Sequence, residues 1–507
     1  MALHPLADFL ETLLAAGQLV RVAVEVDPKL EAAELTRRVA AAGGPALLLD
    51  RLRGQSIPLV TNLLGTPQRL CLAFGVDRLD DLAARLESLT QNGTQNWLKR
   101  LRSTTELPAA EKYQPRSVKT GLCQQVVRLG RDIQLAQLPA LGCWPDESGP
   151  TLSAAQAITY SHSEKLRSLS LCRLQVLGDQ RLSIVDDGPT GLSRHAAEAA
   201  RQGERLPVVL AFGGDPAGLL AAALPLRLDV DGLMLCGLLR DKPLDVVKAR
   251  SQPLDVPADA DLVIEGFIEP PDAVAATFTL SLAARQPSTG DPSVPVLTAS
   301  GVTNGYYRLP QPGLVLHVTA VTQRTSPILP AFVYGQASGD LATLQAAVER
   351  ILLPVVRSAI GELVDYALPA IGGLHSFVVL AIRKTSPHQA RKVASAVWGL
   401  DLLSSTKIVV IVDALVDVHD TRQVLAEIGA NVHPGRDVFF HQGQGDPGDH
   451  AAPVAGLGQP MGMDATSKLP AEHSGAWPSP LAISDQVSDL VSRRWAEYGL
   501  AGKPPRS

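Results

Sequence analysis

Histidine and aspartate residues that could bind a metal ion lie close together near the end of the chain. They are His433, Asp437, His441, Asp446, Asp449 and His450. Imidazole nitrogens and carboxylate oxygens are common ligands of zinc and related ions. Glycine and proline interrupt this stretch at Gly443, Gly445, Pro447 and Gly448, a composition typical of a flexible turn. The pattern therefore favours a solvated loop over a preformed metal site.

Two other kinds of chemistry have weak support in the sequence. The spacing Gly456-x-Gly458-x-x-x-Gly462 approaches a dinucleotide-binding fingerprint, but no strand-to-helix turn followed by an acid on a second strand surrounds it. No serine stands in a nucleophile-elbow motif with partner His and Asp residues. Nucleotide-dependent redox chemistry and serine hydrolase chemistry are therefore not favoured.

The two ends of the chain have the pattern of α/β domains. Helical and strand-like segments alternate both before about residue 50 and after about residue 330. The predicted helices are 5–16, 30–42, 341–359, 388–403 and 421–428, and the predicted strands are 19–24, 46–49, 376–382 and 407–412. The apolar run Ile408–Val412 is typical of a strand buried on both faces of a sheet.

The middle of the chain has a β pattern instead. Alternating and β-branched segments predict strands over 152–160, 169–177, 181–185 and 313–322. Residues 273–296 are rich in Ala, Thr, Ser and Pro without periodicity, which predicts an inserted loop. We therefore predict an N-terminal α/β domain over 1–120, a central β domain over 121–325, a C-terminal α/β domain over 330–483, and a helix and tail over 484–507.

Composition restricts the location and the partners. The chain has 507 residues, a net charge of -5 and no block of Lys or Arg, so nucleic acid is not an expected partner. No apolar run is long enough to span a membrane, and no secretion signal is recognised. The five cysteines are scattered, as in reduced cytosolic proteins. We expect a soluble cytoplasmic protein whose helix over 484–498 docks on a neighbouring subunit or domain.

Several short strings follow one another in a set order along nearly the whole chain. They are Gly43–Leu48, Asn62–Thr66, Cys143–Asp146, Gly237–Arg240, Asp245–Lys248, Val256–Ala258, Ile264–Gly266, Gly456–Gly458 and Met461–Thr466. In this order they resemble the UbiD family of prenylated-FMN-dependent (de)carboxylases. The resemblance implies that the central domain is a split β-barrel like those of flavin reductases, and that the C-terminal α/β domain is used in oligomerisation.

The resemblance also implies a chemistry and a cofactor. Members of the family remove or add a carboxyl group on aromatic or α,β-unsaturated acids, using prenylated FMN, a divalent ion such as Mn²⁺ and a monovalent ion such as K⁺. The protein then has to hold the cofactor phosphate through the metal and to place an acid and a base over the reacting carbon.

The implied cofactor and metal positions are only partly retained. The family string Asn-x-Gly-x-x-Arg matches Ser168–Arg173, so Ser168, Leu171, Cys172 and Arg173 are the expected cofactor-binding residues and Arg173 the retained catalytic one. The three metal-ligand positions fall on Ser168, Pro189 and Gly232. Ser168 offers only a hydroxyl, and Pro189 and Gly232 offer no ligand atom. His195 is the nearest histidine, and Asp229 or Asp231 could substitute only with a shift of register.

The acidic catalytic loop of the family is also altered. Its ending survives as Gly305-Tyr306-Tyr307, but the two carboxylate positions fall on Leu297 and Val302. Neither side chain can donate or accept a proton. The standard mechanism therefore lacks both metal ligands and acid–base groups.

Three hypotheses follow. The first is a non-catalytic UbiD-like subunit or scaffold, in a homo-oligomer or in a hetero-oligomer with an active UbiD-type paralogue. The second is a divergent prenylated-FMN-dependent decarboxylase that uses Glu265, Glu269 or Asp291 as its acid. The third is a flavin-binding or aromatic-acid-binding protein with Arg173 beside Leu297 and Val302.

Overall fold

A computed structural model describes most of the chain. The described residues are 6–88, 111–185, 190–224, 230–270 and 297–499, except 302, 313, 336–337, 372, 374–375, 447–448, 455, 480 and 482. The predicted insertion over 273–296 lies outside them, as do Pro189, Asp229, Asp291 and Val302.

The N-terminal region alternates helices and strands as the sequence predicts. Its elements are α1 (Leu6–Ala15), β1 (Leu19–Val22), α2 (Glu31–Ala41), β2 (Ala46–Leu49), β3 (Leu59–Thr61), α3 (Pro67–Phe74) and α4 (Asp80–Ser88). Local chemistry fixes the ends of α3. The Thr66 side chain accepts a hydrogen bond from the Arg69 N–H, Pro67 occupies the first turn, and Gly75 ends the helix with a φ of 59°.

The described part of the central region is mainly β, with three helices. Its strands are β4 (Arg116–Ser117), β5 (Val126–Leu129), β6 (Thr151–Ser161), β7 (Leu166–Gly178), β8 (Arg181–Val185), β9 (Leu206–Phe212), β10 (Asp245–Lys248), β11 (Asp255–Pro257), β12 (Leu262–Ile268), β13 (Leu297–Gly301), β14 (Tyr307–Pro312), β15 (Leu314–Gln323) and β16 (Leu329–Ala331). Its helices are α5 (Gly191–Gln202), α6 (Pro216–Ala223) and α7 (Gly232–Leu239). Short 3₁₀ helices lie at Leu122–Gln124, Gly130–Asp132 and Leu135–Gln137.

Six of these strands form a closed antiparallel barrel. The order is β12-β9-β6-β7-β8-β15, and β15 pairs with β12 to close it, while β5 adds to β15. The long strand β7 has two buried faces. Cys172 and Leu174 pack in one core with Leu192 of α5, whereas Leu169 packs in another core with Leu233 of α7. The fold is therefore mixed α/β with a closed six-stranded barrel at its centre.

The N-terminal sheet contains one strand from far along the chain. Its order is β1-β2-β3-β16, and β16 pairs in parallel with β3, Leu329 opposite Leu59. After passing through the barrel, the chain therefore returns to the first sheet before it enters the C-terminal region.

The C-terminal region forms a second α/β layer. Its elements are α8 (Asp340–Ala359), β17 (Leu363–Ala367), β18 (Phe377–Ile382), α9 (Gln389–Gly399), β19 (Ile408–Asp413), α10 (Thr421–Asn431), α11 (Pro434–Asp437), β20 (Val438–Phe440), β21 (Gly443–Gln444), β22 (Leu457–Gly458), β23 (Met461–Asp464) and α12 (Asp485–Arg493). The main sheet has the order β17-β18-β19-β23-β20. Val409 and Ile411 of β19 pack in one core and Val410 and Val412 in another, which confirms a strand buried on both faces.

The amphipathic tail helix lies on the surface. Within α12, the side chains of Val487, Leu490 and Val491 are 47%, 44% and 38% exposed. A short 3₁₀ helix, Trp495–Tyr498, follows it. Among the described helices, none is both long and apolar enough to cross a bilayer.

Candidate active site

Strand β7 carries the string that matches the family's cofactor-binding motif. The hydroxyl oxygens of Ser168 and Ser170 lie 3.2 Å apart, and Ser170 Oγ accepts a hydrogen bond of 3.2 Å from the backbone N–H of Leu192. These hydroxyls therefore already attach β7 to the first turn of α5. Ser168 has the polar group expected of it, but that group points into a protein contact.

The described residue that meets Ser168 across this contact is Gly191. A Cβ atom built on Gly191 would overlap Ser168 Oγ. Thr190 caps α5 by accepting a hydrogen bond from the Ser193 N–H, and this cap fixes where Gly191 sits. A ligating side chain at Gly191 would have no space unless the helix moved. Pro189, which the alignment assigned to the second ligand position, lies outside the described residues.

Gly232 lies against the other face of β7. A Cβ atom at Gly232 would lie 2.5 Å from Cβ of Leu169 and 2.8 Å from its backbone nitrogen. Contacts this short are not observed between real Cβ atoms and their neighbours, so helix α7 rests directly on the strand. The position that the resemblance assigns to the third ligand therefore has no carboxylate and no space for one beside Leu169.

Asp231, a potential substitute for the missing ligand, already has other partners. Its carboxylate accepts hydrogen bonds from the N–H groups of Leu233 and Met234, which caps α7. The same carboxylate pairs with Arg167 at 2.6 Å, and Arg167 also reaches Asp255 at 3.2 Å. Asp231 thus anchors the helix to the barrel.

Arg173 is buried in an aromatic environment. It is 1% exposed, and its guanidinium carbon lies 4.1 Å from the centroid of the Tyr334 ring. The carbonyl of Tyr334 accepts a hydrogen bond of 2.9 Å from Trp144 Nε1. The side chain of Leu171 is half-buried and packs on the same core as Leu169, whereas Cys172 is buried on the opposite face. Of the four predicted cofactor-binding residues, the structure thus brings only Leu171 and Arg173 to the face of β7 that carries Leu169.

A carboxylate that the sequence comparison did not identify lies in the loop around Cys143. Glu147 accepts hydrogen bonds from the backbone N–H groups of Cys143 and Trp144, at 3.0 and 3.2 Å. Burial and the charge of Glu147 raise the pKa of Cys143 to about 12, while Arg173 acts in the opposite direction. The string Cys143–Asp146 was the available signal, because it lies next to Glu147 in the sequence. Glu147 orders this loop.

The segment that corresponds to the acidic loop forms a hairpin of β13 and β14. Leu297 begins β13 with its backbone opposite Pro312, and Val302 lies outside the described residues. The Tyr306 ring lies 4.4 Å from the His450 ring, and Tyr307 Oη accepts a hydrogen bond of 3.2 Å from the Asp146 N–H. The hairpin tip therefore connects the 143–147 loop with the C-terminal region.

The alternative acids have structural partners. Glu265 is fully buried and accepts hydrogen bonds from the N–H groups of Arg250 and Ser251 at 2.8 and 2.5 Å. Glu269 pairs with Arg205 at 2.7 Å. Neither carboxylate lies in the described part of the β7 site, and Asp291 lies outside the described residues.

The potential metal ligands of the C-terminal stretch are also engaged elsewhere. His441 stacks on Trp398 with ring centroids 5.1 Å apart, Asp437 pairs with Arg436 at 2.8 Å, and Asp449 pairs with Lys407 at 2.9 Å. Throughout the described residues, no group of three or more His, Cys, Asp or Glu side chains could hold a metal ion. Within the described part of the chain, Ser168, Gly191 and Gly232 therefore do not supply a set of ligands for a metal-bound flavin phosphate at β7.

Comparisons with known proteins agree with this fold. Family models of 3-octaprenyl-4-hydroxybenzoate carboxy-lyase, UbiD, match residues 10–87 (N-terminal domain), 116–337 (Rift-related domain) and 342–465 (C-terminal domain). An uncharacterized protein of Aquifex aeolicus is 33% identical over 499 residues, which is 98% of both chains.

Solved structures of UbiD-class enzymes are similar over almost the full length. HmfF from Pelotomaculum thermopropionicum, in complex with FMN, has a TM-score of 0.73 and 28% identity, covering 94% of this chain and 97% of that one. The closed form of vanillic acid decarboxylase from Sedimentibacter hydroxybenzoicus has a TM-score of 0.80 at 24% identity, covering 97% and 98%. The second likeness concerns the fold alone.

Proposed function

Because this chain belongs to the UbiD family of carboxy-lyases, we propose that it keeps the family fold as a non-catalytic subunit or scaffold. The observation that carries the proposal is the contact of Gly232 with Leu169, where the family places a metal-binding carboxylate. A glutamate there would have to displace helix α7 from strand β7. At Gly232 the chain therefore lacks both the carboxylate and the space that a carboxylate would need.

The proposal includes the cofactor. Neighbouring UbiD-class structures contain FMN in one case and prenylated FMN in another. In this chain Ser168 meets Gly191, and α7 covers Leu169, so the described residues around β7 offer no matching ligands for prenylated FMN with Mn²⁺ and K⁺. We infer that the chain does not bind this cofactor in the family's manner.

The two other hypotheses have less support. A divergent decarboxylase would need a carboxylate that is available for proton transfer. Glu265 instead accepts hydrogen bonds from backbone N–H groups, and Glu269 pairs with Arg205. A binding protein for flavin or an aromatic acid would need Arg173 to face a cavity, but its guanidinium packs on the Tyr334 ring. Both remain testable outcomes.

The finer architecture and the partner belong to the same proposal. We infer that the closed barrel is the split barrel of the family and that the three domains have the predicted bounds. We also infer that the C-terminal domain, residues 330–483, mediates oligomerisation and that the protein acts in the cytoplasm. The HmfF structures include an evolved dimeric form, and the vanillic acid decarboxylase ShVdcCD includes a second subunit, ShVdcD. We therefore propose that this chain forms a homo-oligomer or a hetero-oligomer with a UbiD-type paralogue.

Co-expression with a UbiD-type paralogue tests the subunit role. Native mass spectrometry of the purified material should give a defined complex of the two chains or a homo-oligomer, and this chain alone should release no carbon dioxide from a panel of aryl and acrylic acids. Carbon dioxide release by this chain, abolished by Arg173→Ala, would favour the divergent enzyme. A chain that stays monomeric and does not bind the paralogue would refute the subunit role.

A further inference from the structure

A groove lies between the N-terminal sheet and the β5 edge of the barrel. It encloses about 60 Å³, and about 440 Å³ when its open mouth is included. Its polar side chains are Ser56, Arg128, Gln134, Gln137 and Gln323. None of them belongs to strand β7 or to the helices that pack on it, so the groove is separate from the site described above.

One wall of the groove is apolar. It consists of Leu135, Leu138 and Val321, which are buried, and of Ile57, which is half-buried. Leu135 begins the short 3₁₀ helix Leu135–Gln137, and Val321 lies opposite Arg128 in the pairing of β15 with β5. Short hydrocarbon groups placed against such a wall lose contact with water, which favours binding.

The polar side of the groove is built around one cation. Arg128 is half-buried, and its Nη1 donates a hydrogen bond of 2.8 Å to Oε1 of Gln323, which is 7% exposed. This bond orients the guanidinium without neutralising it. No Asp or Glu lines the groove, and among the described residues Arg128 forms no ion pair. A partly buried cation without a carboxylate partner attracts an anion.

We propose that this groove binds the carboxylate of a small organic acid, with Arg128 pairing to the carboxylate and the acid's hydrocarbon part on Leu135 and Leu138. The amide groups of Gln134 and Gln137 and the Ser56 hydroxyl supply neutral donors at the mouth. A single guanidinium among neutral donors suits a monoanion, and the apolar wall selects an acid with a hydrocarbon group over inorganic phosphate. The proposal does not depend on the catalytic state of the β7 site.

Titration calorimetry with benzoate as the probe tests this site. The wild-type chain should bind benzoate, and Arg128→Gln should bind it at least about tenfold more weakly, because a hydrogen-bonded charge pair is removed. Arg131→Gln is the matched control, since Arg131 is exposed, lies three residues away and does not line the groove. Benzamide, which has the same ring without the charge, should not displace benzoate.

The result has clear alternatives. The proposal would be overturned if the wild type did not bind benzoate. It would also be overturned if Arg128→Gln bound benzoate as tightly as the wild type, because the anion would then bind elsewhere, for instance at Arg173. Inorganic phosphate binding as tightly as benzoate would also overturn it, because the apolar wall would then contribute nothing. If Arg128→Gln fails to fold, Arg128→Lys serves instead. It keeps the charge but not the planar fork, and should bind benzoate measurably more weakly than the wild type.

Discussion

Gly232 lies so close to Leu169 that a Cβ atom on the glycine would be 2.5 Å from Cβ of the leucine. Helix α7 is thereby in direct contact with strand β7 along the face that also carries Arg173. A close-packed interior cannot absorb an added side chain without moving one of the two elements. Where the resemblance leads us to expect a metal-binding glutamate, the chain therefore has neither the carboxylate nor the space for it.

Introducing glutamate at this position should destabilise the fold. Overpacking typically costs about 1–3 kcal/mol, and an unpaired buried carboxylate adds to that, so Gly232→Glu should lower the free energy of unfolding by about 3 kcal/mol or more. Urea denaturation measures this change in the free energy of unfolding. The control is Gly429→Glu in helix α10, where a Cβ atom would meet nothing within 4 Å. That variant should be neutral or slightly more stable, because glycine disfavours helix. A Gly232→Glu variant as stable as the control would show that space for a ligand exists.

The Arg173–Tyr334 contact should depend on the aromatic ring. Tyr334 is 7% exposed, and a desolvated cation–π contact contributes about 2 kcal/mol. Tyr334→Leu should therefore be less stable than Tyr334→Phe by about 1–2 kcal/mol in thermal or urea unfolding, since only Phe keeps the ring. Equal losses in the two variants would mean that the ring does not stabilise the guanidinium.

A cluster of charged residues connects α4, α8 and the C-terminal sheet. Arg350 donates hydrogen bonds of 2.8 Å to both Asp80 and Asp365. Nδ1 of His419 lies 3.6 Å from Glu349, and its Nε2 lies 3.4 Å from Asp365. Burial raises the pKa of Glu349 to about 7, and the hydrogen bond to Asp365 raises the pKa of His419.

These pKa shifts predict that stability falls as the solution becomes alkaline. Both folded-state pKa values lie above those of the unfolded chain, so the folded state holds its protons more tightly. The stabilisation is present at low pH and is lost as the pH rises through the folded values, for Glu349 between about 4.5 and 7. Asp365 has a pKa of about 2, because hydrogen bonds from His419 and Arg350 outweigh burial, so it does not titrate in this range.

Unfolding free energies at pH 6 and pH 8 measure this effect. The wild type should lose stability between them, and Glu349→Gln should lose clearly less, because an uncharged amide has no proton to release. Asp261 and Asp340 have pKa values raised to about 6 by burial, but they are present in both proteins and cancel in the comparison. Identical pH profiles for the two proteins would refute the assignment to Glu349.

The hairpin tip should be coupled to the C-terminal region. The rings of Tyr306 and His450 lie 4.4 Å apart, and such pairs contribute about 0.5–1.5 kcal/mol. A double-mutant cycle with Tyr306→Ala and His450→Ala should give a coupling energy in that range. A parallel cycle that pairs Tyr306→Ala with Val454→Ala, an exposed residue of the same region, should give a coupling near zero. No coupling in the first cycle would mean that the hairpin does not join the two regions.

Local patterns in the sequence were sufficient for most helices and strands. The predicted strands 46–49 and 181–185 agree with β2 and β8 at both ends, because breakers flank them. The predicted helix over 388–403 is wrong at its end, since α9 stops at Gly399, where glycine disfavours helix. The addition of β16 to the first sheet depends on contacts between residues about 270 positions apart, which no local pattern encodes.

The sequence was sufficient to predict which residue types differ from the family at the site, but not how these residues pack. The resemblance predicted roles for Ser168, Gly232 and Arg173, which stay predictions, whereas the overlap of Gly191 with Ser168 depends on how α5 packs on β7. The packing of Arg173 on Tyr334 joins positions 161 residues apart, which no local sequence pattern encodes. The bounds of the three domains, the oligomeric state and the identity of the partner stay predictions.

Flavin content is the most direct test of the account. The chain should be co-expressed with a flavin prenyltransferase, purified with manganese and potassium, and analysed by absorbance and mass spectrometry beside an intact UbiD-class decarboxylase as the positive control. We expect prenylated FMN in the control and far less than one equivalent in this chain. One equivalent of prenylated FMN bound to this chain would contradict the closed site at β7 and would reopen the question of catalysis.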